Sequence, residues 1–253
     1  MIKQAILLPL FLLATASVSL AQETEKVVAN NAVTHNREKY YVVKSNPIIR
    51  QGTYQQFEGP KGKKPILSGH FSNNQRDSTW TMYQPGGKKL LARGSYQNNQ
   101  RVGVWEFYTP TGTLANKYDY TQNKLIFSAQ DDASKSLTFQ PLPGQPALET
   151  KPVYLQGAKA LFMAVGQNVR YPPEALRAQV QGDIVIAFTI DSNGQTSNYH
   201  VVKGLGFGLD EAALQSLQQL PDMWLPASAN GQAVAATCEI PVSFRVTVTK
   251  IVR

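Results

Sequence analysis

Three segments of this chain superimpose on one template: RQGTYQQF from Arg50, RDSTWTMY from Arg76 and RVGVWEFY from Arg101. The arginines stand 26 and then 25 residues apart, and an arginine, a small residue, a Trp or Tyr and a final aromatic recur in step. Between the last two copies the match extends to GHFSNNQR and GSYQNNQR, residues 69–76 and 94–101. An internal repeat of this period means stacked supersecondary units, because one such unit cannot bury its apolar face alone.

Local physics makes each unit a β-hairpin. NNQR, QPGG and TPTG supply turn residues, while Phe71, Trp80, Met82, Tyr96, Trp105 and Phe107 lie in short runs where alternate side chains share a face. The aromatics are expected to form a continuous core along a meander that the partial copy YDYTQNK, residues 118–124, brings to an end. A ligand-stacking surface is the competing role for the tryptophans, but recurrence at one structural position favours the core. The segment resembles the MORN-type repeats carried by many bacterial envelope proteins, which implies a binding or spacing module with no ligand named.

The N-terminal 21 residues carry Lys3, an apolar run from Ala5 to Val18, and the small residues Ser19 and Ala21. That layout predicts a signal peptide cleaved after Ala21 and a periplasmic protein. The alternative is an uncleaved inner-membrane anchor facing the periplasm. Against it stand Pro9 and a run shorter than the ~20 apolar residues that span a bilayer. Cys238 is the single cysteine, so stability must come from buried area, and a small buried side chain is the plainer reading than a reactive thiol. The net charge of +8 is concentrated in residues 22–121, whereas the last hundred residues are nearly balanced. A basic surface attracts anionic polymer, headgroups or nucleic acid. Nucleic acid is the least accessible of these to an exported protein and is not expected as a partner, and a solvated basic face is the plainer reading.

Residues 128–151 are rich in proline and small polar residues and read as a connection, with room for one short strand at SLTF, residues 136–139. After it, GAKALFMAVGQNV has helical spacing with Leu161, Phe162 and Val165 on one side, and Pro172 and Pro173 suit a first helical turn. DIVIAFTID alternates Ile184, Ile186, Phe188 and Ile190 on one face, DSNG turns, and SNYHVVKG returns as an antiparallel strand.

The glycines that follow, Gly204, Gly206 and Gly208, approach a dinucleotide fingerprint, but Leu209 stands where its third glycine belongs. A hairpin precedes this turn instead of a parallel crossover, and Asp210 and Glu211 at the helix start would repel phosphate. Leu209, Ala213, Leu217 and Leu220 form that helix's buried stripe, Pro221 ends it, and CEIPVSFRVTV closes with a strand. His35, His70 and His200 are scattered, no metalloprotease, redox or nucleophile-elbow motif occurs, and GPKGKKP is too short for a P-loop. Neither an enzyme nor a cofactor is indicated.

The landmarks RYPPEAL, QGDIVIAFTIDSNGQTSNYHVVKG, LDEAAL, WLPA, NGQAV and IPVSF, in that order over residues 152–246, resemble the TonB C-terminal domain, most closely its Bacteroidota-type versions. The resemblance implies an α+β fold, a three-stranded antiparallel sheet with helices on one face. The expected organisation is a signal peptide (1–21), a leader (22–38), an all-β hairpin-repeat module (39–127), a connection (128–151) and this domain (152–253).

The family passes energy from an inner-membrane motor to outer-membrane transporters, and an extended transporter segment pairs with the last strand by β-augmentation. Carried onto this chain, the docking residues are Arg170, Tyr171 and Pro172, together with Thr237, Cys238, Glu239, Ile240, Val242, Ser243, Phe244 and Arg245. Pro241 lacks an N–H and suits an edge strand. The bland alternative is that Tyr171 packs under a helix and Glu239, Pro241 and Arg245 merely protect an edge. The expected partner is a TonB-dependent transporter. The motor proteins join it only if residues 1–21 remain as an anchor, and a homodimer through the open sheet edge is a further possibility. The chain departs from a force transducer in lacking a long extended spacer, which leaves a second hypothesis: a soluble envelope scaffold whose basic aromatic repeats bind cell-wall polymer or protein.

Overall fold

The computed structural model describes residues 22–246, so the signal-peptide expectation for residues 1–21 lies outside it. Among the described residues no helix is long and apolar enough to cross a membrane. Nine strands follow one another as neighbours in one antiparallel sheet: β1 (Thr24–Asn30), β2 (Arg37–Val43), β3 (Asn46–Phe57), β4 (Pro65–Ser72), β5 (Gln75–Tyr83), β6 (Leu90–Gln97), β7 (Gln100–Tyr108), β8 (Leu114–Asp119) and β9 (Lys124–Ser128). β1 falls in the segment read as a leader. It carries no copy of the repeat and pairs along its whole length with β2.

The repeat letters acquire physical roles. Asn73 and Asn74, and again Asn98 and Asn99, all have positive φ, the conformation a tight hairpin with right-handed twist requires. Each second asparagine also reaches back one unit. Asn74 Oδ1 accepts the Arg50 N–H at 2.7 Å, and Asn99 Oδ1 accepts the Arg76 N–H at 2.6 Å. The small residue two places after each arginine, Gly52, Ser78 and Gly103, has φ of 108°, 58° and 61°, so a bulky or branched side chain there would be strained.

Trp80 and Trp105 are fully buried, and each indole N–H is satisfied by the facing strand, at His70 O and Ser95 O. A Cβ added at Gly69 would lie 2.1 Å from the Trp80 ring, and one at Gly94 would lie 2.2 Å from Trp105. The ring therefore occupies the space a side chain would fill. Edge-on contacts continue the column, with ring centres 5.2 Å apart for Phe71 and Trp80, 5.9 Å for Trp80 and Tyr96, and 5.0 Å for Tyr96 and Trp105. The repeat arginines cover it: Arg76 lies 4.8 Å over Trp80, Arg101 4.8 Å over Trp105 and Arg50 4.6 Å over Tyr40. Met82 is only half-buried, at the margin.

The second half forms a four-stranded sheet rather than the expected three-stranded one. After the 3-10 turn Asp132–Ser136, the connection supplies β10 (Thr138–Pro141) and β11 (Val153–Tyr154). Then come α1 (Ala158–Asn168), α2 (Pro173–Arg177), β12 (Gly182–Ile190), β13 (Thr196–Lys203), α3 (Leu209–Gln218), β14 (Trp224–Leu225), β15 (Ala227–Ala229), β16 (Gln232–Val234) and β17 (Ala236–Phe244). The order is β10-β17-β12-β13, with β11–β14 and β15–β16 as separate small ladders. The extra strand joins because Phe139 has an apolar side to bury and β17 offers it an edge beside Trp224. Leu161 and Val165 of α1 and Leu209, Ala213 and Leu217 of α3 share one core with Ile184, Ile186, Phe188 and Ile190 of β12.

The two sheets meet at the last rungs of the repeat. Leu155 and Leu225 enter the aromatic cluster, and the buried Asn116 side chain donates to the Tyr154 and Leu155 carbonyls at 3.1 and 2.9 Å. On the outer face Glu106 sits between its cross-strand neighbours Arg93 and Lys117, 2.8 Å from each. Lys117, then the Tyr108 hydroxyl and Arg93, hold its carboxyl down at about 2 against the ordinary 4.5.

Three outcomes are expected for stability. Gly94→Ala should cost about 1–3 kcal/mol in urea unfolding through overpacking against Trp105. Gly166→Ala in α1, where a Cβ meets nothing within 4 Å, should be neutral or raise stability by up to about 1 kcal/mol. For Glu106 the folded pKa is depressed, so its stabilisation is present above pH 4.5 and is lost as pH falls toward 2. Wild type should exceed Glu106→Gln by about 1 kcal/mol at neutral pH, the partial exposure limiting the gain, and the gap should close between pH 4.5 and about 2 in acid unfolding curves.

Candidate functional site

β17 alternates strictly. Ala236, Cys238, Ile240, Val242 and Phe244 are buried, while Thr237, Glu239, Pro241 and Ser243 face outward. β12 pairs with it from end to end, Ile190 opposite Ala236 and Gly182 opposite Phe244. On the other side β10 covers only residues 236–239, with Phe139 opposite Cys238. Among the described residues no strand neighbours the outer edge of residues 240–244, and Pro241, which lacks a ladder donor, falls within that stretch.

A groove of about 580 Å³ opens beside this free edge, lined by Phe162, Met163, Val165 and Val169 and floored by residues 241–243, with Lys159 also in its wall. Met163 is 46% exposed, so the groove offers apolar surface to a chain lying along the edge. Helical spacing in α1 produces it: Leu161 and Val165 are buried in the core, which turns Met163 outward and leaves Phe162 between.

The sequence-predicted residues divide into groups. Tyr171 donates its hydroxyl to the Val180 carbonyl and lies edge-on to Phe244 at 5.4 Å, so it fixes the end of the last strand from beneath the helix layer. Pro172 is half-buried at the start of α2, and Arg170 is exposed. Arg245 binds Asp183 at 2.8 Å and the Gly182 carbonyl, and the Ser243 hydroxyl donates to Asp183. These contacts, Ser243 first and Arg245 next, lower the Asp183 pKa and tie the end of β17 to β12 rather than to the free edge. Burial pushes the Cys238 thiol up, which keeps it protonated and packed. Ile240, Val242 and Phe244 turn their side chains into the core, within the stretch of β17 whose outer edge β10 leaves uncovered. Phe139, Phe162 and Met163 are not among the residues the sequence marks for docking: Phe162 reads only as part of the apolar side of its helix, and the one local signal for Phe139 is the short SLTF run.

Two other sequence features fill themselves. The Asp210 carboxylate accepts the N–H groups of Leu205 at 2.8 Å and Gly206 at 3.2 Å, so the glycine turn is closed by its own helix. With Trp80 and Trp105 inside, neither ring presents a stacking surface.

Residues 167–246 match the family model described as Gram-negative bacterial TonB protein C-terminal. The protein is 34% identical over 76 residues to Protein TonB of Xanthomonas campestris pv. campestris strain B100, covering 30% of this chain and 33% of that one. The strain ATCC 33913 protein gives the same figures. This chain thus spans about a third of the length of the curated relatives it matches. Among solved structures, the Helicobacter pylori TonB C-terminal domain (residues 194–285) covers 34% of this chain and 89% of its own at 23% identity and TM-score 0.27. Its longer form (residues 179–285) covers 49% and 99% at 18% identity and TM-score 0.28. Likenesses at those scores carry no weight for function.

Tyr171→Phe should lower stability by about 1 kcal/mol, because the Val180 carbonyl loses its donor. Arg170→Ala should stay within about 0.5 kcal/mol of wild type. Equal losses in chemical denaturation would assign Arg170 a structural role that its exposure does not suggest.

Proposed function

We propose that this protein is a TonB-family component of energy-coupled transport, acting on the periplasmic side of the envelope by docking an extended segment of an outer-membrane transporter on β17. The observation that carries the reading is the free edge of residues 240–244, which lies inside the family match and opens on the apolar groove of α1. An added strand would form several backbone hydrogen bonds at about 0.5–1.5 kcal/mol net each. Ordering a flexible segment offsets much of that gain, leaving weak binding that a mechanical or chemical event can reverse. The repeat sheet, MORN-like in its spacing, serves in this reading as a rigid platform: its aromatics are core and its arginines are engaged on them.

Peptides from the periplasmic N-termini of TonB-dependent transporters, titrated into the isotope-labelled protein, should shift amide resonances of residues 240–244 and of α1. An N-methylated peptide, unable to donate to the edge, should bind about tenfold more weakly. Shifts confined to the nine-stranded sheet would instead favour a scaffold that binds through the repeats.

A further inference from the structure

β10 is a strand that this chain lays on its own last strand. It is four residues long, its strand partner is β17, and it ends in Pro141, which cannot donate to a ladder. Thr138, Gln140 and Pro141 are exposed, and Phe139 is the one β10 residue packed against the core, edge-on to Trp224 at 6.2 Å. Upstream, the 3-10 turn is held independently. Asp131 Oδ1 accepts the Ala133 N–H, and Oδ2 accepts the Lys159 N–H at 2.8 Å, clipping the turn to the start of α1. Leu137 is buried just after that turn. β10 can therefore leave β17 without dismantling either the turn or the three strands behind it.

The position of β10 also describes what fits there. A strand on residues 236–239 meets Cys238 and Trp224 on its inner side, which is an uncharged socket, and solvent on its outer side. The same line of β17 backbone runs on into the free edge and the groove. We infer that β10 holds in cis the place of a partner strand: the docking segment carries a large apolar residue at the position of Phe139, opposite Cys238, and binds the full edge by displacing β10. This rests on the reading of β17 as the docking strand. It adds that the free protein is partly self-occupied and that the chain's own sequence displays the preferred side chain.

The native thiol supplies the test. Phe139→Cys places a second sulfur directly opposite Cys238, and diamide oxidation of the two thiols to a disulfide locks β10 in place. The probe is a fluorescent peptide of this chain's own sequence, SKSLTFQPL, beside a control with serine for its phenylalanine. The peptide should bind the Phe139→Ser protein about tenfold more tightly than wild type, and the control peptide should lose that gain. The oxidised lock should not bind, and reduction should restore binding. Native-state hydrogen exchange needs no variant: amides of residues 138–140 should exchange through a local opening, well before those of β12.

Equal binding by locked and reduced protein would overturn the inference. So would exchange of β10 in step with β12, which makes it a permanent strand. Transporter peptides do not enter this experiment, so its failure leaves the docking reading standing, and failure of the transporter titration leaves the displaceable strand standing.

Discussion

The contact on which the rest of this structure depends is a tryptophan lying against a glycine of the neighbouring strand. Trp80 and Trp105 take the volume that a Cβ at Gly69 or Gly94 would need. That closeness excludes water from the rings, brings the next aromatics into edge-on contact and sets an arginine over each indole. A repeated Gly–Trp pair also fixes register, since a slip of one residue would turn the ring to the solvent face. The column then ends in groups that belong to the second half, Leu155 and Leu225, so the repeat sheet positions the other sheet as well as itself.

The same packing accounts for much of the charge. In this half of the chain Arg50, Arg76 and Arg101 are held over rings, and Arg93 and Lys117 flank Glu106. A basic composition here builds the sheet's cover before it offers a patch to a partner. Cation–π contacts and cross-strand ion pairs are each modest, but their repetition at one spacing makes the order of strands unambiguous.

In the second half, β17 has a central and divided role. Its inner side chains complete the core, its backbone pairs with β12 throughout, and its outer edge is half covered by β10 and half free. Natural sheets protect their edges by short strands, prolines and charges. Here Pro141 on β10 and Pro241 on β17 are prolines of that kind.

The sequence by itself determined which residues are inside. The step of 25 or 26 residues, the alternation of Ile184 to Ile190 and the stripe of Leu209, Ala213 and Leu217 follow from local periodicity, because burial of one face is written along a single element. The hairpin at DSNG and the closing strand were legible for the same reason, as was the proline-led start of α2. Tertiary structure decided the rest: that β1 joins the sheet without a repeat motif, that Tyr171 braces Phe244, and that residues 138–141 pair with a strand about a hundred positions away. A four-residue segment has too short a pattern to declare its partner, and its pairing depends on which edge the completed core leaves uncovered. For that reason the last strand could be recognised from its letters, while the extent of its open edge could be read only from the fold.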